Sequence, residues 1–185
     1  MKAICIFLAE GFEEMEAMFP LDIMRRGGLN VKTVSVTGEK TVVSSHQVPI
    51  VADMLFEDLK EEDVEMIVLP GGLGGVQSIK NCPSALEAVR ALYAGGKYIA
   101  AICAAPTILA ELGITDGRDA TCYPGLEGKM GRAKMHACGA VTDEKVITGR
   151  AAGKAFDFGL ALIEALRGEE TAKRVAAEVV YGKEA

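Results

Sequence analysis

Short apolar runs alternate along the chain with longer stretches of helical period, and that alternation predicts βα units on a mainly parallel sheet. Lys2–Leu8, Val31–Val36, Met66–Pro70, Tyr98–Ile102 and Lys145–Thr148 read as strands. Some are apolar at every position, as Met66-Ile67-Val68-Leu69 shows, and a strand of that kind is covered on both faces. Helices are therefore expected above and below the sheet. Thr41–Val51, with Pro49 inside it, reads as an edge hairpin, because proline lacks the N–H that a central strand must donate. Helices are expected over Glu13–Arg26, Ser84–Ala94, Ala104–Leu112, Gly153–Leu166 and Glu169–Val180. In the last, Ala172, Val175, Ala176 and Val179 mark the packed face. Gly27-Gly28 and Gly95-Gly96 stand where left-handed caps end helices. Thr121–Cys138 is glycine-rich and irregular, the composition of a loop carried on a rigid scaffold.

With 185 residues, 50% of them hydrophobic, the chain suits one α/β domain over residues 1–185. A formal net charge of -6 repels phosphate backbones and anionic lipid, so nucleic acid is an unfavourable partner. The apolar run at the amino end is too short for a signal core or a membrane span and is followed at once by Glu10, Glu13 and Glu14. The five cysteines are Cys5, Cys82, Cys103, Cys122 and Cys138, without a C-x-x-C or C-x-x-H pair. That spacing argues against a zinc centre and against a disulfide framework. A reducing, cytoplasmic setting and no metal or cofactor are the expectations.

Ligands of open α/β sheets bind beyond the carboxyl ends of the strands, and three such ends are distinctive. The first strand runs into Gly11-Phe12-Glu13-Glu14-Met15-Glu16, the third into Gly71-Gly72-Leu73-Gly74-Gly75, and the fourth into Cys103-Ala104-Ala105-Pro106. Cys103 sits at a strand-to-helix turn like a nucleophile elbow, where helix amides and dipole would favour the thiolate and lower its pKa. A buried, inert cysteine at a helix start is the bland alternative. Gly71 and Gly72 let backbone amides approach a bound oxygen and could form an oxyanion site beside Cys103. Glu13 and Glu14 suit simple capping of a first turn. Glu16 shares a helix side with Phe12 and Phe19, so it could turn inward, hold a raised pKa and trade a proton with a neighbour. The two histidines are His46 in the hairpin and His136 in the glycine-rich loop, and neither is adjacent to Cys103 in sequence.

Taken in order, Gly11–Glu16, Leu69-Pro70-Gly71-Gly72 and Ala100-Ala101-Ile102-Cys103-Ala104-Ala105-Pro106 resemble the ThiJ/PfpI superfamily, in the branch of the Parkinsonism-associated deglycase and its bacterial relative YajL. Asp22–Gly27, Thr148–Gly153 and Phe158–Leu166 extend the resemblance over essentially the whole chain. It implies a flavodoxin-like three-layer sandwich, a homodimer, a functional cysteine at Cys103 paired with Glu16, and an oxyanion held by the amides of Gly72 and Ala104. It also implies removal of methylglyoxal and glyoxal, repair of early glycation adducts, or oxidant-sensing and chaperone roles. Where the human member of the branch has a histidine, this chain has Tyr123, a hydrogen-bond donor but a poor base near neutral pH. Ala104 stands where the protease-like branch has a histidine, which disfavours peptidase activity. The implied chemistry is addition of the Cys103 thiolate to a 2-oxoaldehyde, with Glu16 shuttling a proton between the two substrate carbons and no cofactor involved.

Overall fold

The computed structural model describes residues 2–182. In chain order its elements are β1 (Ala3–Leu8), α1 (Glu14–Arg26), β2 (Val31–Ser35), β3 (Thr41–Val43), β4 (Pro49–Val51), β5 (Met54–Leu55) and β6 (Val64–Leu69). They continue as α2 (Leu73–Lys80), α3 (Pro83–Ala94), β7 (Tyr98–Ile102), α4 (Pro106–Glu111), β8 (Asp119–Ala120) and β9 (Lys134–Met135). The last are β10 (Ala140–Asp143), β11 (Val146–Gly149), α5 (Ala155–Arg167) and α6 (Glu169–Glu178). Seven strands form the main sheet in the order β10-β11-β7-β6-β1-β2-β5, parallel throughout except for the antiparallel β10–β11 pair.

The alternation of side chains along β1 divides the interior into two layers. Ile4, Ile6 and Leu8 pack with Ile23 of α1, Phe158 and Leu162 of α5 and Val175 of α6. Cys5 and Phe7 point the other way, to Val76 of α2, Val89 of α3 and Ile108 of α4. The result is the expected three-layer α/β sandwich with a mainly parallel centre. Gly28 and Gly96 take φ of 74° and 73° just past α1 and α3, which is the left-handed cap geometry.

Several expectations need correction. The hairpin over Thr41–Val51 exists, but β3 and β4 form a separate two-stranded sheet, and β5 takes the edge beside β2. The stretch after β6 holds a helix not expected from the sequence: α2 begins at Leu73 and includes Gly74 and Gly75. A Cβ on Gly75 would lie 2.7 Å from Phe12 Cα, so glycine is required there by close approach to the β1–α1 loop rather than by a turn. The helix after Cys103 starts at Pro106 and has only 6 residues, shorter than Ala104–Leu112. Within Thr121–Cys138, β9 pairs with β8 in a small parallel sheet.

Candidate functional site

The strand order reverses between β1 and β6: β2 lies on one side of β1, and the next long strand, β6, lies on the other. In an open α/β sheet that reversal opens a crevice at the carboxyl ends of the two strands. The loops leaving β1 and β6 meet there, with Glu13 N donating to Gly71 O at 3.0 Å and Gly75 N donating to Gly11 O at 3.0 Å. β7, the neighbour of β6, delivers Cys103 to the same place.

Cys103 has φ 66°, a left-handed conformation that costs a non-glycine residue on the order of 1–3 kcal/mol. Two backbone bonds hold it: Cys103 N donates to Gly149 O at 2.9 Å, and Tyr123 N donates to Cys103 O at 2.8 Å. The side chain is half-buried. Burial first, and then the Glu16 carboxylate, push the thiol above its ordinary pKa, while the amides of Ala104 and Gly72 act on the sulfur in the opposite sense. The expectation of a thiol lowered by a helix dipole is therefore overturned, for α4 is one and a half turns long and desolvation outweighs it.

Glu16 is buried at 1% exposure although it lies in the first turn of α1. Glu13 caps that helix by accepting from Glu16 N at 2.9 Å, which leaves the Glu16 side chain free to turn inward. Its Oε2 accepts from Gly71 N at 2.8 Å, and among the described residues Oε1 finds no hydrogen-bond partner of normal geometry. Desolvation raises this carboxyl to about 7, against the opposing pull of the Cys103 thiol and the Gly71 amide. Near neutral pH it can therefore both accept and return a proton, and the thiol beside it can be ionised by transfer to Glu16 rather than to solvent.

The glycines divide their work. Gly71 holds Glu16, and Gly72, at φ 83°, turns its amide toward the sulfur. A Cβ on Gly72 would lie 2.5 Å from Gly11 O and 2.8 Å from Glu13 N. Tyr123 lines the cavity over Cys103 and is 48% exposed. Cys103, Glu16, Gly72, Ala104 and Tyr123 thus share one cavity, with Gly71 directly behind it.

Sequence reasoning missed His46. The β3–β4 turn is tied to the start of α1 by Ser45 N donating to Phe12 O at 2.8 Å, and it brings His46 to the rim of the same cavity. His46 Nδ1 lies 2.8 Å from Glu14 Oε2, and Ser44 Oγ donates to Glu14 Oε1 at 2.6 Å. Burial raises Glu14, but these hydrogen bonds outweigh it and hold the carboxyl down at about 2. Glu13, Glu14 and His46 place one ligand atom each within 4.8 Å of one another, although their hydrogen bonds already engage Glu13 and Glu14. No spacing signal pointed to His46, because only the fold of the hairpin brings it close. His136 pairs with Asp119 at 2.7 Å and is not among the residues lining the cavity. No helix among the described residues is long and apolar enough to cross a membrane.

The chain is 37% identical over 183 residues to the Parkinson disease protein 7 homolog of Danio rerio, covering 97% of each chain. It is 34% identical to a glutathione-independent glyoxalase of Caenorhabditis elegans, covering 91% of this chain and 90% of the relative. The solved structure of oxidized Toxoplasma gondii DJ-1 superposes with a TM-score of 0.94 at 30% identity, covering 99% of this chain and 100% of that one. The DJ-1/PfpI family model matches residues 2–165, and the chain belongs to the DJ-1/PfpI family.

Proposed function

We propose that the protein is a cofactor-independent glyoxalase and deglycase that converts 2-oxoaldehydes, or their early adducts on amines and thiols, to 2-hydroxy acids. The observation that carries this reading is the pair itself: the buried Glu16 carboxyl, raised to about 7, shares one cavity with Cys103, whose raised thiol the Ala104 and Gly72 amides pull down. The Cys103 sulfur adds to the aldehyde carbon, its proton passes to Glu16, and the amides of Gly72 and Ala104 hold the oxyanion. Glu16 returns that proton to the oxyanion, giving a hemithioacetal and leaving its own carboxylate free to act as a base. Glu16 then takes the proton from that carbon and returns it to the neighbouring keto carbon, while the hydroxyl proton passes to the former keto oxygen, leaving a 2-hydroxyacyl thioester. Water hydrolyses the thioester, releasing the hydroxy acid and restoring the thiol. Tyr123 orients the substrate without acting as a base. The glyoxalase name carried by the worm relative supports the same chemistry.

Steady-state consumption of methylglyoxal with lactate formation tests the proposal, with Cys103→Ser as the comparison. Loss of lactate in the variant is expected; equal rates in the two proteins remove Cys103 from the mechanism. The second reading, a redox sensor or chaperone without turnover, draws on the half-buried thiol and on the oxidized state of the Toxoplasma neighbour. In that reading two equivalents of peroxide carry the thiol to a sulfinate held by the same amides and by protonated Glu16. It takes over if the wild type turns over no 2-oxoaldehyde or glycated adduct while Cys103 oxidises readily.

A further inference from the structure

The cavity over Cys103 has a volume of about 760 Å³, the size of clefts that hold drug-sized ligands rather than a three-carbon aldehyde. Its wall beyond the sulfur is apolar and is made by Leu73, Tyr123, Pro124 and Leu126. Leu73 is 77% exposed, and it is the residue directly after the Gly72 amide. Single exposed apolar side chains are ordinary on a protein surface. Leu73 and Tyr123, however, both stand in the one cavity that holds Cys103, next in sequence or hydrogen bond to its reacting groups.

The wall is also rigidly coupled to the nucleophile. Tyr123 N donates to Cys103 O at 2.8 Å, and Leu126 N donates to Tyr123 O at 3.0 Å. Leu126 packs in turn against the small cluster of Ala120, Cys122 and Met130. A substituent held on this surface would keep a fixed position relative to the sulfur. Besides Cys103 and Tyr123, the ionisable groups that line the cavity are Glu13, Glu16 and His46, and neither lysine nor arginine is among its lining residues. That balance opposes an anionic substituent and leaves an uncharged apolar one as the best match.

We propose that Leu73, Tyr123, Pro124 and Leu126 form an apolar subsite for the substituent of the 2-oxoaldehyde, so that the preferred substrates carry an aryl or branched-alkyl group rather than methyl. The inference rests on the glyoxalase reading for its substrate, but the subsite is a property of the cavity and can be tested without turnover. The chemistry is unchanged: the sulfur adds to the aldehyde carbon, and the ring or branched chain lies on the wall. A single methylene in such a pocket changes kcat/KM by roughly 10- to 200-fold, so a whole ring should be plainly visible.

The experiment compares phenylglyoxal, giving mandelate, with methylglyoxal, giving lactate, in wild type, the Leu73→Ser/Tyr123→Ser double variant and Tyr123→Phe. The phenylglyoxal-to-methylglyoxal ratio of kcat/KM should fall at least about tenfold in the double variant and be retained in Tyr123→Phe, which keeps the ring. An unchanged ratio in the double variant overturns the subsite. If the wild type turns over neither aldehyde, the glyoxalase reading fails, and alkylation of Cys103 decides the subsite alone. Phenacyl bromide and bromoacetone both form an S–C bond with loss of bromide and the thiol proton, and intact-mass spectrometry follows each rate. The phenacyl preference should again fall about tenfold in the double variant, and equal ratios in the two proteins overturn the proposal.

Discussion

Gly71 donates its amide proton to Glu16 Oε2 at 2.8 Å, and a Cβ on Gly71 would lie 2.8 Å from the Cβ of Cys103. One residue without a side chain therefore both binds the carboxyl and sets how near the thiol can come. Gly71→Ala has no room to relax, since Ile102 O also lies 3.0 Å from the added carbon. Overpacking of this kind costs about 1–3 kcal/mol, and the strain falls on the Cys103–Glu16 spacing. Loss of lactate formation together with a lowered melting temperature is expected; full activity would show that the spacing is not critical.

Replacing Glu16 with glutamine separates the two chemical steps. Thiol addition is slowed, because the thiol proton must leave to solvent instead of to Glu16, whereas the carbon-to-carbon proton shift is lost, because it needs a group that accepts and returns a proton. Glu16→Gln should lose roughly a hundredfold to ten-thousandfold in hydroxy-acid formation while the hemithioacetal still forms, a distinction that carbon NMR of labelled methylglyoxal reads directly. Tyr123→Phe, which removes only a hydroxyl, should lose far less. Lactate made by Glu16→Gln at the wild-type rate would exclude Glu16 as the shuttle.

The same carboxyl makes stability depend on pH. Its folded pKa is raised from 4.5 to about 7, so the folded state holds the proton more tightly than the unfolded state. Below about pH 4.5 both states are protonated and the full stability contribution is present; as pH rises to about 7 the unfolded chain ionises first, and that contribution is lost. A tenfold difference in proton affinity is worth about 1.4 kcal/mol, so the loss is at most about 3–4 kcal/mol. Glu16→Gln should therefore be more stable than wild type at pH 7.5 and show a flatter dependence between about pH 4.5 and 7 in denaturant melts. Parallel curves for the two proteins would contradict the raised carboxyl.

Much of this was legible in the chain. Continuous apolar runs such as Met66–Leu69 announced strands covered on both faces, and the three strand-end motifs converged because open parallel sheets gather their ligands at such ends. Local pattern failed where a tertiary neighbour decides the outcome. Gly74 and Gly75 look like loop residues, yet they are helical because α2 starts against Phe12. Strands of two residues, such as β5 and β8, carry no periodicity to detect. The Cys103 thiol is raised where sequence implies lowering, because a helix start is visible in sequence whereas the burial that outweighs it is not. His46 reaches the cavity through the docking of a hairpin on α1, a contact between residues 32 positions apart.

The exposed face of α1 carries Met15 at 39% exposure, with Met18 and Phe19 half-buried beside it, and we propose this face as the contact of a homodimer. Phe19 already packs on Phe156 at 4.9 Å between ring centres, so Met15 and Met18 are the more informative positions. Met15→Lys/Met18→Lys should yield a monomer by light scattering while the wild type gives twice 19.5 kDa. A wild-type monomer at micromolar concentration would end the claim.

Alkylation by iodoacetamide probes the shared proton itself. Cys5 lies in the middle of β1, fully buried, with burial pushing its thiol up to about 12, so it should remain unlabelled in the native protein. Cys138 is exposed and should label freely. Cys103 differs because its thiolate can appear when the pair loses its first proton, which the Glu16 carboxyl at about 7 sets. Its labelling rate should therefore climb through about pH 7, and mass spectrometry of peptides resolves it from Cys5 and Cys138. In Glu16→Gln that inflection should vanish, since glutamine neither takes the thiol proton nor repels the thiolate. A Cys103 profile without that inflection, or one that Glu16→Gln leaves in place, would show that the two groups do not share a proton.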